Sequence, residues 1–110
     1  MTGVVTISER KARETARRRL AAAAVMAELK TFAQRCGGRF IVFGSVAQQR
    51  LSFDSDFDVI VDVPSAHEVE AVELVEDLCR HHELPADIHL KSLASERLLA
   101  RIADHAVILP

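Results

Sequence analysis

Two short apolar runs, RFIVF at 39–43 and FDVIVDV at 57–63, constrain this chain more than any other feature. Both are rich in β-branched and aromatic residues, so both read as strands, and the tight link between them permits an antiparallel pair. That link, GSVAQQRLSFDSD, ends in acid: Asp54 and Asp56 precede the second run and Asp58 lies inside it. A buried strand with a carboxylate at its mouth carries a charge that the fold must accommodate or use.

The rest of the chain supplies helices to cover a sheet. Thr6 and Glu9 have capping-box spacing, and from there to Cys36 no Gly or Pro interrupts a stretch dense in Ala, Arg, Glu and Leu, which predicts one long helix. Its later half places Ala22, Val25, Met26, Leu29, Phe32, Ala33 and Cys36 on one face, and Gly37 and Gly38 end it. After the first strand, SVAQQ reads as a short helix with Ser45 at its N-cap. Pro64 stops the second strand, and Ser65 with Glu68 predicts a helix to about His82, with Ala71, Leu74, Val75, Leu78 and Cys79 inward. Pro85 breaks that helix. A third strand, ADIHLKS from residue 86, alternates Asp87, His89 and Lys91 against Ile88 and Leu90. Ser95 starts a last helix with Leu98, Leu99, Ile102 and Ala103 on one side, and AVIL reads as a short strand or docked tail.

This order predicts an α+β fold: a mixed sheet of three or four strands, with helices packed on it and a right-handed crossover joining parallel second and third strands. A chain of 110 residues is expected to be a single domain, with a helix over 1–36 and a core over 37–110. With 49% hydrophobic and 27% charged residues it has the composition of a soluble globular protein. No apolar run approaches the roughly 18 to 20 residues that span a bilayer, and no secretory signature opens the chain, so the expected location is the cytoplasm. Cys36 and Cys79 fall on helix stripes and are expected to be reduced thiols.

Charge is unevenly distributed. Residues 1–50 carry ten basic and three acidic side chains, whereas residues 51–110 carry four and thirteen. The run RKARETARRR suits either contact with RNA or other nucleic-acid phosphate, or a solvated helix end.

Asp56 and Asp58, two apart on a strand, point the same way and repel at neutral pH, so either one takes up a proton or a cation sits between them. The alternative is an acidic turn before a strand. Hard carboxylate oxygens at an exposed strand start suit Mg²⁺. Upstream, Gly44 and Ser45 turn a strand into a helix, where backbone N–H groups, a hydroxyl and the absence of a Cβ suit a phosphate. Together they predict a site for a nucleoside triphosphate with Mg²⁺, and two-metal nucleotidyl transfer needs a third acid, for which Asp87 at the start of the third strand is the candidate. Asp54 reads as a turn residue and Asp62 as a strand-end charge. His89 and Lys91 share a face with Asp87, and His81 and His82 read as an exposed helix end.

FGSVAQQRLSFDSDFDVIVDV resembles the signature of the DNA polymerase beta-like nucleotidyltransferase superfamily, and is most similar to the minimal nucleotidyltransferase (MNT) type often paired with a HEPN-domain protein. The likeness runs from about residue 39 through PADIHL and RIADHAVIL. It implies a polymerase beta palm-like fold and transfer of AMP from ATP to an acceptor hydroxyl. By it, Gly44 and Ser45 bind the triphosphate, while Asp56, Asp58 and Asp87 hold two Mg²⁺ ions and carry catalysis. Many members follow Gly-Ser-x-Ala with Arg-Gly; Gln48 and Gln49 stand there in this chain, with Arg50 as the nearest charge for nucleotide binding. The resemblance also implies a small helical HEPN-type partner in a toxin-antitoxin-like pair; whether the chain forms a homo- or hetero-oligomer is left open by the sequence, and the absence of a long apolar run gives no expectation of a membrane partner. A second expectation is an antitoxin-like interaction module whose site is silent.

Overall fold

In the computed structural model, which describes residues 5–110, helix α1 runs over Ile7–Cys36. The expected cap forms: Glu9 N–H donates to Thr6 Oγ1 at 3.0 Å. Gly37 ends the helix in the left-handed conformation at φ 74° and returns its N–H to Ala33 O. Strand β1, Arg39–Phe43, leads straight into helix α2, Gly44–Ala47, and β2 occupies Phe57–Asp62. Helix α3, Glu68–His81, crosses to β3, Ala86–Leu90; helix α4, Glu96–Ile102, precedes β4, Val107–Leu109.

Three local expectations shift. Ser45 does not cap α2, because Gly44 turns at φ 72° and starts the helix at once, leaving extended Phe43 at the cap and Ser45 in the first turn. Ser65 does not cap α3 either: after Pro64 the chain tightens into a 3₁₀ turn over Ser65–His67, with His67 N–H on Pro64 O at 2.8 Å, and α3 begins after it. Lys91 leaves β3 for a second 3₁₀ turn, Lys91–Leu93.

The sheet has the order β3-β2-β1-β4. β1 pairs antiparallel with β2 and β4, and β2 pairs parallel with β3, as a helical crossover requires. Alternation along the strands separates two faces. Phe40 and Val42 of β1 and Phe57, Val59 and Val61 of β2 meet Val25, Leu29 and Phe32 of α1 and Ala71, Val75 and Cys79 of α3, forming the larger core. Ile41, Phe43 and Ile60 point the other way, where α4 covers them with Ile102 and, at the margin, Leu98 and Leu99. Each fully buried Val, Leu or Phe side chain contributes roughly 1.5–3 kcal/mol, so the first face carries most of the stability.

The basic start of α1 is neither wholly solvated nor wholly free for phosphate. Arg17 donates to His82 O at 2.7 Å and to Glu83 O at 2.8 Å, satisfying carbonyls at the end of α3. Arg18 donates to Ser55 O at 2.7 Å, in the acidic loop. Glu14 accepts from both guanidiniums at 2.7 to 2.9 Å, and the two arginines hold its carboxyl down at about 2. Arg10, Lys11, Arg13 and Arg19 stay exposed. Both cysteines are free, and burial pushes the Cys79 thiol up to about 11. Among the described residues no helix is long and apolar enough to cross a membrane.

Candidate functional site

The register of the sheet builds the site. Phe43 at the end of β1 pairs with Asp58, and Asp58 pairs with Asp87 at the start of β3, so the end of one strand and the mouths of two others meet. Both carboxylates lie on the α4 side, because Asp58 shares strand parity with Ile60 and Asp87 with His89. Asp56, expected on one strand face with Asp58, lies instead just ahead of β2, which begins at Phe57, and is exposed.

Gly44 is required here twice over. Its φ of 72° suits a residue without a Cβ, and a Cβ at this position would strike the Asp58 carboxylate, coming within 3.2 Å of its Cγ. The loop after β1 therefore lies directly against the half-buried acid. Burial, then the charge of Asp87, then that of Asp56, push the Asp58 carboxyl up to about 6, with His89 opposing. His89 Nε2 lies 3.1 Å from Asp87 Oδ2, which fixes the outer acid.

A cleft of about 390 Å³ opens in front of these groups, with Gly44, Asp58 and Asp87 on one wall. Gln48 contributes at its end. Ser45 is half-buried in the first turn of α2, where the first intrahelical bond is Gln48 N–H to Gly44 O at 3.0 Å, so the N–H groups ahead of it have no carbonyl in the helix to reach. Arg50 does not line the cleft; it is exposed, and its backbone N–H closes the α2 turn on Ser45 O at 2.9 Å.

The opposite wall was not evident from residue spacing. Arg101 in the last turn of α4, Ile102 and His105 just beyond it face the acids across the cleft. The available signal was the four-residue step from Arg101 to His105, but a short tail segment gave no reason to fold it over the strand mouths. His105 Nδ1 sits 3.2 Å from Asp104 Oδ1, while its Nε2 is buried with no hydrogen-bond partner.

The acids outside the cleft have local roles. Asp54 accepts from Ser52 Oγ at 2.7 Å, and Ser55 Oγ accepts from Ser52 N–H at 2.8 Å, so the loop that delivers Asp56 is closed on itself and pinned by Arg18. Asp62 pairs with Arg39 at 2.7 Å at the far end of β2. His81 and His82 stack edge to face at the end of α3, away from the cleft. Among the described residues no three His, Cys, Asp or Glu side chains form a ready-made metal cage. The cleft offers instead two register-paired carboxylates with a third just upstream. Burial first, and then the two neighbouring carboxylates, raise Asp58, and a hard cation would relieve both the burial cost and the charge excess.

No curated protein matches the chain. A family model described as a nucleotidyltransferase domain matches residues 24–109, from the middle of α1 through β4, and takes in both walls of the cleft. The chain therefore belongs to the nucleotidyltransferase domain family of the DNA polymerase beta-like superfamily.

Proposed function

We propose that this protein transfers a nucleoside monophosphate, AMP from ATP, to a hydroxyl group of an acceptor, with Mg²⁺ held by Asp56, Asp58 and Asp87. The observation that carries the reading is the contact geometry at one strand mouth: a backbone with no Cβ at Gly44 against Asp58, and Asp58 register-paired with Asp87. Gly44 and Ser45 would admit the phosphate chain to the main chain and offer it N–H groups and a hydroxyl. The three carboxylates, of which Asp58 is raised by burial and then by its two neighbours, would hold Mg²⁺, which neutralises phosphate charge and acidifies an acceptor hydroxyl when bound. Asp87, near the start of β3 and oriented by His89, would receive the acceptor's proton. Catalysis in this reading is mostly positioning and charge neutralisation.

The acceptor we favour is a small helical partner of HEPN type in a toxin-antitoxin-like pair within the cytoplasm, a choice that rests on the resemblance of the FGS and DSDFD segments. The test is incubation with labelled ATP, Mg²⁺ and the protein encoded by the adjacent gene. Label should move to the partner with wild type and not with Asp58→Asn; no transfer by wild type, or equal transfer by both, overturns the reading.

A second reading is a silent interaction module that neutralises its partner by binding. Gln48 favours it, since it puts a neutral amide where the cleft meets α2. A triple Asp56→Asn, Asp58→Asn, Asp87→Asn variant that still neutralises the partner would support this reading over transfer.

A further inference from the structure

One cation in the cleft has no partner. Arg101 lines the same cleft of about 390 Å³ as Asp58 and Asp87, yet among the described residues it makes no ion pair with either, while His89 is the group that pairs with Asp87. If Arg101 served to neutralise the acids it would sit on them. It stands off instead, and the space between has the size of a small-molecule site, which run from about 300 to 1,000 Å³. Four residues on, His105 lines the same cleft through its ring, with Nδ1 on Asp104 and Nε2 buried.

A cleft lined by a planar, permanently charged fork and by two carboxylates is polarised for a ligand that carries both negative oxygens and a bound cation. We propose that Arg101 binds the phosphate chain of the nucleotide from the α4 side, in the same cleft as the acids that would hold its metal ion. This rests on the nucleotidyl-transfer reading and adds to it a second side of the substrate. The tail of the chain becomes part of the binding site: β4 pairs with β1 through Ile41↔Ile108, and Ile102 packs on Ile41 and Phe43, so the same apolar contacts that dock the tail set Arg101 at the cleft. Gln48 at the cleft's end leaves α2 without a charge of its own there, so Arg101 is the cation of this cleft.

The test is calorimetric titration of ATP and of AMP, each with Mg²⁺, into wild type, Arg101→Gln and the double variant Arg101→Gln with Gln48→Arg. Arg101 is exposed in a last helical turn, and thermal unfolding of each variant checks that the fold is kept. Loss of one charge-assisted contact should raise the Kd for ATP about 10- to 100-fold. AMP, with a single phosphate, should be affected several times less, and Gln48→Arg, returning a charge from the other end of the same cleft, should recover part of the ATP affinity. An Arg101→Gln protein that binds ATP like wild type, or loses ATP and AMP equally, overturns this inference and leaves the transfer reading standing. A wild type that binds neither ATP nor inorganic tripolyphosphate overturns both.

Discussion

The two faces of β2 are built to opposite rules within six residues. Phe57, Val59 and Val61 are fully buried against α1 and α3, while Asp58 and Asp62 alternate with Ile60 toward the side that only the short α4 covers. The first face is packed for stability by a thirty-residue helix and a crossover helix. The second accepts a cost: Asp58 is half-buried among like charges. The same strand thus holds the fold together with its odd-numbered residues and presents chemistry with its even ones, and each face can be tested against the other.

Asp58→Asn should produce the largest divergence. Nucleotidyl transfer should fall by at least ~10²-fold, as expected when a group that organises transition-state charge is removed. Stability should move the other way. A carboxyl raised from 3.8 to about 6 in the folded state imposes no folding penalty below pH 3.8, an increasing one between, and its full penalty above 6. In chelator the variant should therefore melt higher than wild type at pH 7.5 and equally with it near pH 4. A variant that melts lower at both pH values would mean that the open face is also built for stability, and the contrast between faces would be lost.

Leu29→Ala probes the packed face. Leu29 is fully buried at the centre of the larger core, and truncation should cost about 2–5 kcal/mol in denaturant-induced unfolding. Because Leu29 belongs to the α1 side, the protein that remains folded should keep its transfer rate per folded molecule. A fall in that rate well beyond the folded fraction would show that the faces are coupled through the sheet.

How far the fold could be read from the sequence follows from which forces act locally. The long helix, its Thr6 cap, the antiparallel and parallel pairings and the inward stripes were legible because periodicity, capping and crossover length are properties of neighbouring residues. Ser45 and Ser65 were misplaced as caps because Gly44 and Pro64, one residue earlier, dictate how the chain enters each turn. Gly44, Asp58 and Asp87 were legible as a group, since strand parity and register place Asp58 beside Asp87, whereas Asp56 lies ahead of the strand and does not line the cleft. Arg101 and His105 were not, because their place depends on β4 folding back onto β1, a long-range pairing with no local signature. Nor was the inward turn of Arg17 and Arg18, since their acceptors are carbonyls at His82, Glu83 and Ser55. Arg50 shows the converse: sequence proximity to the motif did not bring it to the cleft.

Gln49, just after α2 and beside α1 on the packed side, gives a smaller effect. It sits at φ 56°, in the left-handed region that costs a residue with a Cβ about 1 kcal/mol. Gln49→Gly should release that strain and raise stability by up to about 1 kcal/mol, offset in part by the added freedom of the unfolded chain. Equilibrium unfolding measures it; a loss of stability would mean that the Gln49 side chain contributes contacts worth more than the strain.

The smallest expected effect lies where the two faces are joined. Glu14 on α1 accepts from Arg17 and Arg18, and Arg18 in turn holds Ser55 O beside Asp56, so a carboxylate on the packed side orients the loop that feeds the open side. Its folded-state value of about 2 lies below the ordinary 4.5, so its contribution is fully present above pH 4.5 and is lost as the pH falls toward 2. The group is solvent-accessible, so the contribution is screened and should shrink further in high salt. Glu14→Gln should therefore flatten the stability profile of wild type between pH 4.5 and 2, while leaving the melting of Asp58→Asn relative to its own parent unchanged at pH 7.5. If the Glu14 and Asp58 substitutions instead combine non-additively at pH 7.5, the Arg18 to Ser55 link transmits between the faces and the two rules of β2 are not independent.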